Sequence, residues 1–528
     1  MIKNILGRMI SCIGLFGVCA VLTFFVACTV GPDYIKPTIE TPSSYKEAEE
    51  WKIAQPRDHI VRGAWWKIFG DPQLDALEEQ VNVSNQNVAV AEANFRQARA
   101  LVRAARAGYF PTLTAGASYS RSLRPSTTTG AGASGSSGSP GKTGGTASPD
   151  PTGNSGGTGS TGSTGGKSPS AVSDFLLPVD FSWELDVWGR VRRSVESSSA
   201  SAQASAADLE AVRLSSQAEL AQDYFQLRAV DAQKRLLEDT VTAFQRTLDL
   251  TRNRYTNGIA SKLDVLQAET QLKTTEAQLI DLNVQRAQLE HAIAVLIGKP
   301  ASVFAIPASP LNMVPPPIPV GVPSELLERR PDIASAERHI ASANAQIGVA
   351  KSAFYPTVTL SASGGYESSK LSKWLTWPNH FWSVGTAIAE SVFEGGLRRA
   401  QTTQAQAAYD ASVAFYRQTV LTAFQEVEDN LAALRILEQE AQAQDEAVKA
   451  SRQSVQLTVN QYKAGTVSYL NILVSQTVQL DNERTAVDIM SRRMAAGVLL
   501  IKALGGGWNV SGIDATDVTN SVETGMVR

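Results

Sequence analysis

The chain has 528 residues, more than one core of ordinary size requires. With 43% apolar and 19% charged residues it has the composition of an ordered protein, and a formal charge of −3 offers no field of one sign to nucleic acid. Its four histidines are scattered without metal-ligand spacing, and its three cysteines (Cys12, Cys19, Cys28) all lie at the N-terminus, which excludes a disulfide framework in the body.

Lys3 and Arg8 open a short positive region, and an apolar run from Met9 ends in Phe25-Val26-Ala27-Cys28. This reads as a secretory signal over residues 1–27. A cysteine directly after such a cut resembles the bacterial lipoproteins, lipidated here on Cys28, with Phe25 where Leu is usual. A plain signal peptide or a single membrane anchor is the other reading, since the run approaches the roughly 17–25 residues of a spanning helix. Thr29 follows, where lipoproteins held back from the outer membrane of enteric-type bacteria carry Asp.

An N-terminal segment, 28–64, leads into two similar halves, 65–305 and 323–507, joined by a Pro-rich linker at 306–322 and followed by a tail at 508–528. Ala107-Gly108-Tyr109-Phe110-Pro111-Thr112 matches Ser352-Ala353-Phe354-Tyr355-Pro356-Thr357 at an offset of 245. Arg254-Tyr255-Thr256-Asn257-Gly258 matches Gln461-Tyr462-Lys463-Ala464-Gly465 at an offset of 207. The falling offset places an insertion in the first half. It is the Gly/Ser/Thr/Pro segment 122–170, too poor in apolar residues to offset its ordering entropy and expected to form a flexible loop.

In chain order, a helix is predicted from Leu74 to Ala107, then a strand from Thr112 to Ser120, the 122–170 loop, and a second strand from Leu177 to Val187. A very long helix follows from Arg190 to Asn257, then a turn at Gly258 and a returning helix to Ile297. The second half repeats this order: a helix from Pro331 to Ser352, a strand through Val358, a less regular strand from Phe381 to Phe393, a long helix, a turn at Gly465 and a last helix.

The strands alternate. Leu177, Val179, Phe181, Trp183 and Leu185 oppose Asp180, Ser182 and Glu184, the pattern of a sheet with one apolar face. In a soluble sandwich that face would pack on a second sheet; in a membrane barrel it would meet lipid. Four strands cannot close a barrel, and open edges in lipid cost several kcal/mol per unpaired group, so a membrane reading requires oligomerisation. Three chains would supply twelve strands.

The stretch from Arg190 to Asn257 contains no Pro and no Gly, and as a helix would be roughly 100 Å long. Leu220, Leu227, Val241, Leu248 and Tyr255 follow heptad spacing, and Val427, Leu434, Val448, Val455 and Tyr462 sit at the matching positions. Each half then packs two shorter helices end to end along its long one. Three chains would make a hollow cylinder of twelve helices; a solid bundle or rod is the alternative.

Val30-Gly31-Pro32-Asp33-Tyr34, Trp65-Trp66-Lys67-Ile68-Phe69-Gly70-Asp71-Pro72, Glu328-Arg329-Arg330-Pro331-Asp332 and Phe393-Glu394-Gly395-Gly396 resemble the TolC/OprM-type outer-membrane efflux lipoproteins (NodT-like) over nearly the whole mature chain. The resemblance implies an α+β membrane protein, internally duplicated, with two transmembrane β-strands and long coiled-coil helices in each half. It further implies a homotrimer with a twelve-stranded β-barrel in the outer membrane on a twelve-helix α-barrel in the periplasm, and the 122–170 loop on the outside. An inner-membrane pump, a periplasmic adaptor and outer-membrane lipid are the implied partners; nucleic acid and cofactors are not.

The turns are the candidate periplasmic gate: Tyr255, Gly258, Leu263 and Asp264 in the first half, Tyr462, Gly465, Leu470 and Asn471 in the second. Relatives often carry acidic rings here, but Asn471-Ile472-Leu473-Val474 has no acid, which leaves Asp264 alone. No enzyme signature occurs: Gly298-Lys299-Pro300 lacks the rest of a nucleotide-binding loop, and there is no nucleophile elbow, triad or zinc motif. The expected function is a passive exit channel of a tripartite multidrug efflux or export system. A coiled-coil lipoprotein tether without a pore is the alternative.

Overall fold

A computed structural model describes residues 29–38, 42, 45–48, 64–123, 171–309, 315, 316, 318 and 329–506. Cys28, nearly all of the 122–170 segment and the 508–528 tail lie outside the described residues. The chain forms two compact units, one within Met1–Gly108, Asp186–Tyr355 and Ser391–Arg528, the other within Tyr109–Leu185 and Pro356–Glu390.

The first unit is helical. Its elements are α1 (Pro72–Ser84), α2 (Gln86–Ala107), α3 (Arg190–Thr256), α4 (Lys262–Leu296), α5 (Pro331–Ser352), α6 (Leu397–Lys463) and α7 (Tyr469–Ala503). Both long helices have 67 residues, and both returning helices have 35. Among the described residues no helix is long and apolar enough to cross a membrane. An acid caps each long helix: Asp186 accepts from Val191 N and Arg192 N, and Glu394 accepts from Arg398 N. Negative charge there also suits the positive end of the helix dipole.

The helix expected from Leu74 to Ala107 is two helices. Asn85 leaves the helical region and caps α2, its Oδ1 accepting from Asn87 N at 2.8 Å and Val88 N at 3.1 Å. Its amide nitrogen donates to Leu296 O at 2.7 Å, so the end of α4 abuts the start of α2 while both lie along α3. The second half has the same joint. Arg330 donates to Ala503 O at 3.3 Å, bringing the end of α7 to the start of α5 along α6. A glycine closes each joint at positive φ: a Cβ on Gly298 would stand 2.2 Å from Ser84 O, and one on Gly505 2.0 Å from Arg329 O. These paired positions keep the offsets of 245 and 207 seen in the sequence.

The main core gathers Trp65, Phe69, Tyr224, Phe225, Tyr416 and Val427 around the middle of the two long helices. The N-terminal residues are strapped to this unit. Val30 N donates to Trp188 O at 3.2 Å, and Arg193 reaches the carbonyls of Val30 and Gly31 and the Asp33 carboxylate.

The second unit is an antiparallel sheet of β1 (Thr112–Ala115), β2 (Ser118–Leu123), β3 (Ala171–Leu185), β4 (Thr357–Ser368) and β5 (His380–Ala389). β1 and β2 lie in one row beside β3, followed by β4 and β5. The strand expected to be continuous over Thr112–Ser120 is split, and Pro178 supplies the reason. Gly116 N still donates to Pro178 O at 3.0 Å, but Pro178 has no N–H to return the bond. On its other side Pro178 faces Gly365, where a Cβ would stand 2.0 Å from Leu177 O. The last strand ends at Ala389, short of the predicted Phe393.

All four connections to helices leave one end of the sheet, where Thr112, Leu185, Thr357 and Ala389 lie. Leu123, Ala171 and the connection 369–379 lie at the other end. Among the described residues the β1/β2 row bonds only to β3, and β5 only to β4, so both outer edges are unpaired there.

Candidate functional site

The two helix turns are built from similar sequence by different means. At the first, Gly258 takes φ 72° and the Arg254 carbonyl accepts from Ile259 N and Ala260 N. Ser261 and Asp264 form a reciprocal capping box at 3.1 Å in both directions. At the second, Gly465 takes φ 81°, and Ser468 makes no side-chain cap. Asn471, in the place of Asp264, donates only its backbone N–H to Ser468 O. Asp264 therefore has a structural task at the start of α4.

The turns are joined by Arg254. Its Nη1 donates to Tyr462 O at 2.9 Å and to Lys463 O at 3.3 Å, and the guanidinium lies 4.6 Å from the Tyr462 ring centroid. These carbonyls end α6, the negative end of its dipole, so the charge is well placed. Tyr462 also donates to Thr251 Oγ1 at 3.4 Å, and Gln476 donates to Thr247 Oγ1 at 3.3 Å. Phe244, Leu248, Ala268 and Leu272 from the first hairpin pack with Tyr462, Tyr469 and Ile472 from the second. Burial pushes the Tyr469 phenol up to about 12, with the Tyr462 phenol and the Asp264 carboxylate adding to the effect.

The candidate residues thus divide. Tyr462 is inside the joint, 3% exposed, whereas Tyr255 is 44% exposed and outside it. Leu263 and Leu470 both face out beside Ile259 and Val474, leaving an apolar rim on both turns. Asn471 is exposed. Arg254 and Thr251 were not singled out from sequence. The available signal was the mismatch of Arg254 with Gln461 beside a matched tyrosine.

The sheet supplies the second feature. Leu113, Val179, Trp382, Val384 and Ile388 on one face are exposed, although large and apolar. The other face carries Asp180, Ser182, Glu184, Ser361 and Ser363, with Ser363 Oγ donating to Asp180 Oδ1 at 2.6 Å. An apolar face, a polar face and open edges among the described residues suit a membrane-barrel wall better than half of a soluble sandwich.

Such a wall joined by chain to two long helical hairpins defines the class, an outer-membrane channel component. The chain belongs to the outer membrane efflux protein family, whose sequence model matches residues 77–299 and 322–506. It is 30% identical over 495 residues to the probable efflux pump outer membrane protein TtgC of Pseudomonas putida, covering 93% of this chain and 95% of that one. To the pyoverdine export outer membrane protein OpmQ of Pseudomonas aeruginosa it is 29% identical over 485 residues, 91% and 94% of the two chains. The solved structure of the outer-membrane channel OprN matches with a TM-score of 0.79 at 29% identity, over 91% of this chain and 100% of that one. The protein is an outer-membrane efflux protein and not an enzyme.

Proposed function

We propose that three copies of this chain close into the passive exit channel of a tripartite efflux or export system. The observation that carries the proposal is the exposed apolar face of a sheet whose two edges lack partners among the described residues. Three copies, each with four rows of strand, close a barrel of twelve. A tether without a pore gives that apolar face nothing to meet.

The helices support the same closure. Within the chain α7 lies against α3. Two copies of one unit, residues 65–305 and 323–507 joined by 306–322, repeat this relation between chains if α4 of one copy lies against α6 of the next. The outer face of α4 suits the role, since Leu266, Ala277, Ile280 and Val284 are exposed at heptad spacing. Thr247 and Gln476, hydrogen-bonded within the chain, correspond to Ser454 and Glu269. A Glu269→Cys/Ser454→Cys protein is therefore expected to cross-link between copies, into trimers and not within monomers.

The apolar rim at Leu263 and Leu470 is the docking edge for a periplasmic adaptor, and an inner-membrane pump supplies the energy. Opening separates the turns that Arg254 joins. Lipidation of Cys28 fits its neighbour: Thr29 lies against Gly189, four residues beyond the end of β3 in the chain. The test is conductance in planar bilayers. The expected result is a mostly closed pore that opens when the turns are released; a purified oligomer that never conducts overturns the channel reading.

A further inference from the structure

The connection between β4 and β5, residues 369–379, is ordered by its own hydrogen bonds. The Lys373 carbonyl accepts from Thr376 Oγ1 at 2.7 Å and from Asn379 Nδ2 at 2.5 Å. Two short 3-10 turns, Leu371–Lys373 and Trp377–Asn379, shape it, and Trp377 stacks on His380 with ring centroids 4.5 Å apart. Such a segment has little conformational freedom left to lose on binding.

This connection bends toward the apolar face of the sheet. Trp374 donates to Tyr366 O at 3.3 Å, and its ring centroid lies 5.8 Å from that of Phe175, which in turn is 4.7 Å from Tyr119. Phe175 and Tyr119 are directly paired across β2 and β3, in the same alternation as Val179 and Leu113. The sheet's apolar face thus ends in an aromatic row, where membrane proteins meet the interface between hydrocarbon and water.

Beyond that row the connection presents Leu371, Leu375 and Trp377, all exposed. Lys370 and Lys373 flank them, also exposed and without an acidic partner among the described residues. No Asp or Glu occurs between Glu367 and Glu390. An ordered, apolar and purely cationic surface continuous with the lipid-facing wall suits one kind of occupant. A neighbouring copy or a soluble protein would have to bring its own acids, whereas a lipid leaflet offers apolar chains and phosphate together.

We propose that residues 369–379 form an interfacial lipid site. Leu371, Leu375 and Trp377 enter the boundary between acyl chains and headgroups, and Lys370 and Lys373 bind the phosphate of an anionic lipid headgroup. The proposal rests on the outer-membrane channel reading.

The test uses the full-length oligomer in neutral detergent micelles doped with phosphatidic acid or with diacylglycerol of the same acyl chains. Lipid retained per oligomer is read by native mass spectrometry. Phosphatidic acid is expected to bind about tenfold more tightly, with that preference lost in Lys370→Gln/Lys373→Gln and reduced in high salt. Trp377→Ser weakens retention of both lipids. An unchanged phosphate preference in the double lysine variant overturns the inference, as does efficient cross-linking of Leu375→Cys to another copy in the intact oligomer. Variants that conduct in bilayers yet show no preference sink this site and leave the channel standing. A protein that never enters bilayers sinks the channel reading itself.

Discussion

At the first helix turn the chain holds itself: Ser261 and Asp264 cap each other, and Tyr255 stays outside the joint. At the second turn Ser468 caps nothing, and Tyr462 is buried under an arginine from the first turn. The first hairpin is thus self-sufficient, and the second is secured by its neighbour. In the gate proposed above, similar turns with different means of support would divide the labour: one anchor, and one part to be released.

The largest test of this contrast is Arg254→Ala. It removes charge-assisted hydrogen bonds of about 1.5–3 kcal/mol, so the open probability of single channels should rise tenfold or more, whereas Gln461→Ala should leave it unchanged. Next come the caps. Asp264→Ala should cost about 1 kcal/mol of stability and loosen amide-exchange protection at the start of α4, while Asn471→Ala should cost no more than a few tenths. Equal effects would erase the contrast.

The smallest effect concerns the long helices. Burial, aided by Glu219, raises the Asp223 carboxyl to about 6, whereas the matching position in α6 is Asn430. A carboxyl raised in the folded state contributes its full stability below its unfolded value and loses it as pH climbs through about 6. Asp223→Asn should therefore raise the melting point at pH 7.5 by an amount worth about 1 kcal/mol, discounted for partial solvation, and the gain should fade toward pH 4. A pH-independent difference would rule out this titration as the cause.

Much of this architecture is legible in sequence because long periodic segments declare themselves. The long helix was expected from Arg190 to Asn257 and runs from Arg190 to Thr256, since Gly189 and Gly258 punctuate it. Short interruptions are harder. The apolar pattern continues past Asn85, so the break shows only as a capping residue whose second partner, Leu296, is remote in the chain. Alternation likewise ignores a missing donor, so the break opposite Pro178 leaves the pattern of Thr112–Ser120 unchanged. The joint between the turns was least legible. Arg254 acts on carbonyl groups of Tyr462 and Lys463, and backbone acceptors leave no mark in a sequence.

The joints at Asn85 and Arg330 have a mechanical consequence. Each long helix is one unbroken strut, whereas the strut beside it is cut and butted, with α4 meeting α2 through the Asn85 side chain. Torque applied at the turns can be taken up by slip at that cut, without unwinding a ladder of backbone bonds. In the proposed channel α2, which precedes β1 in the chain, would keep its setting while α4 rotates. The tube proposed above, walled this way, would twist at one end and stay still at the other.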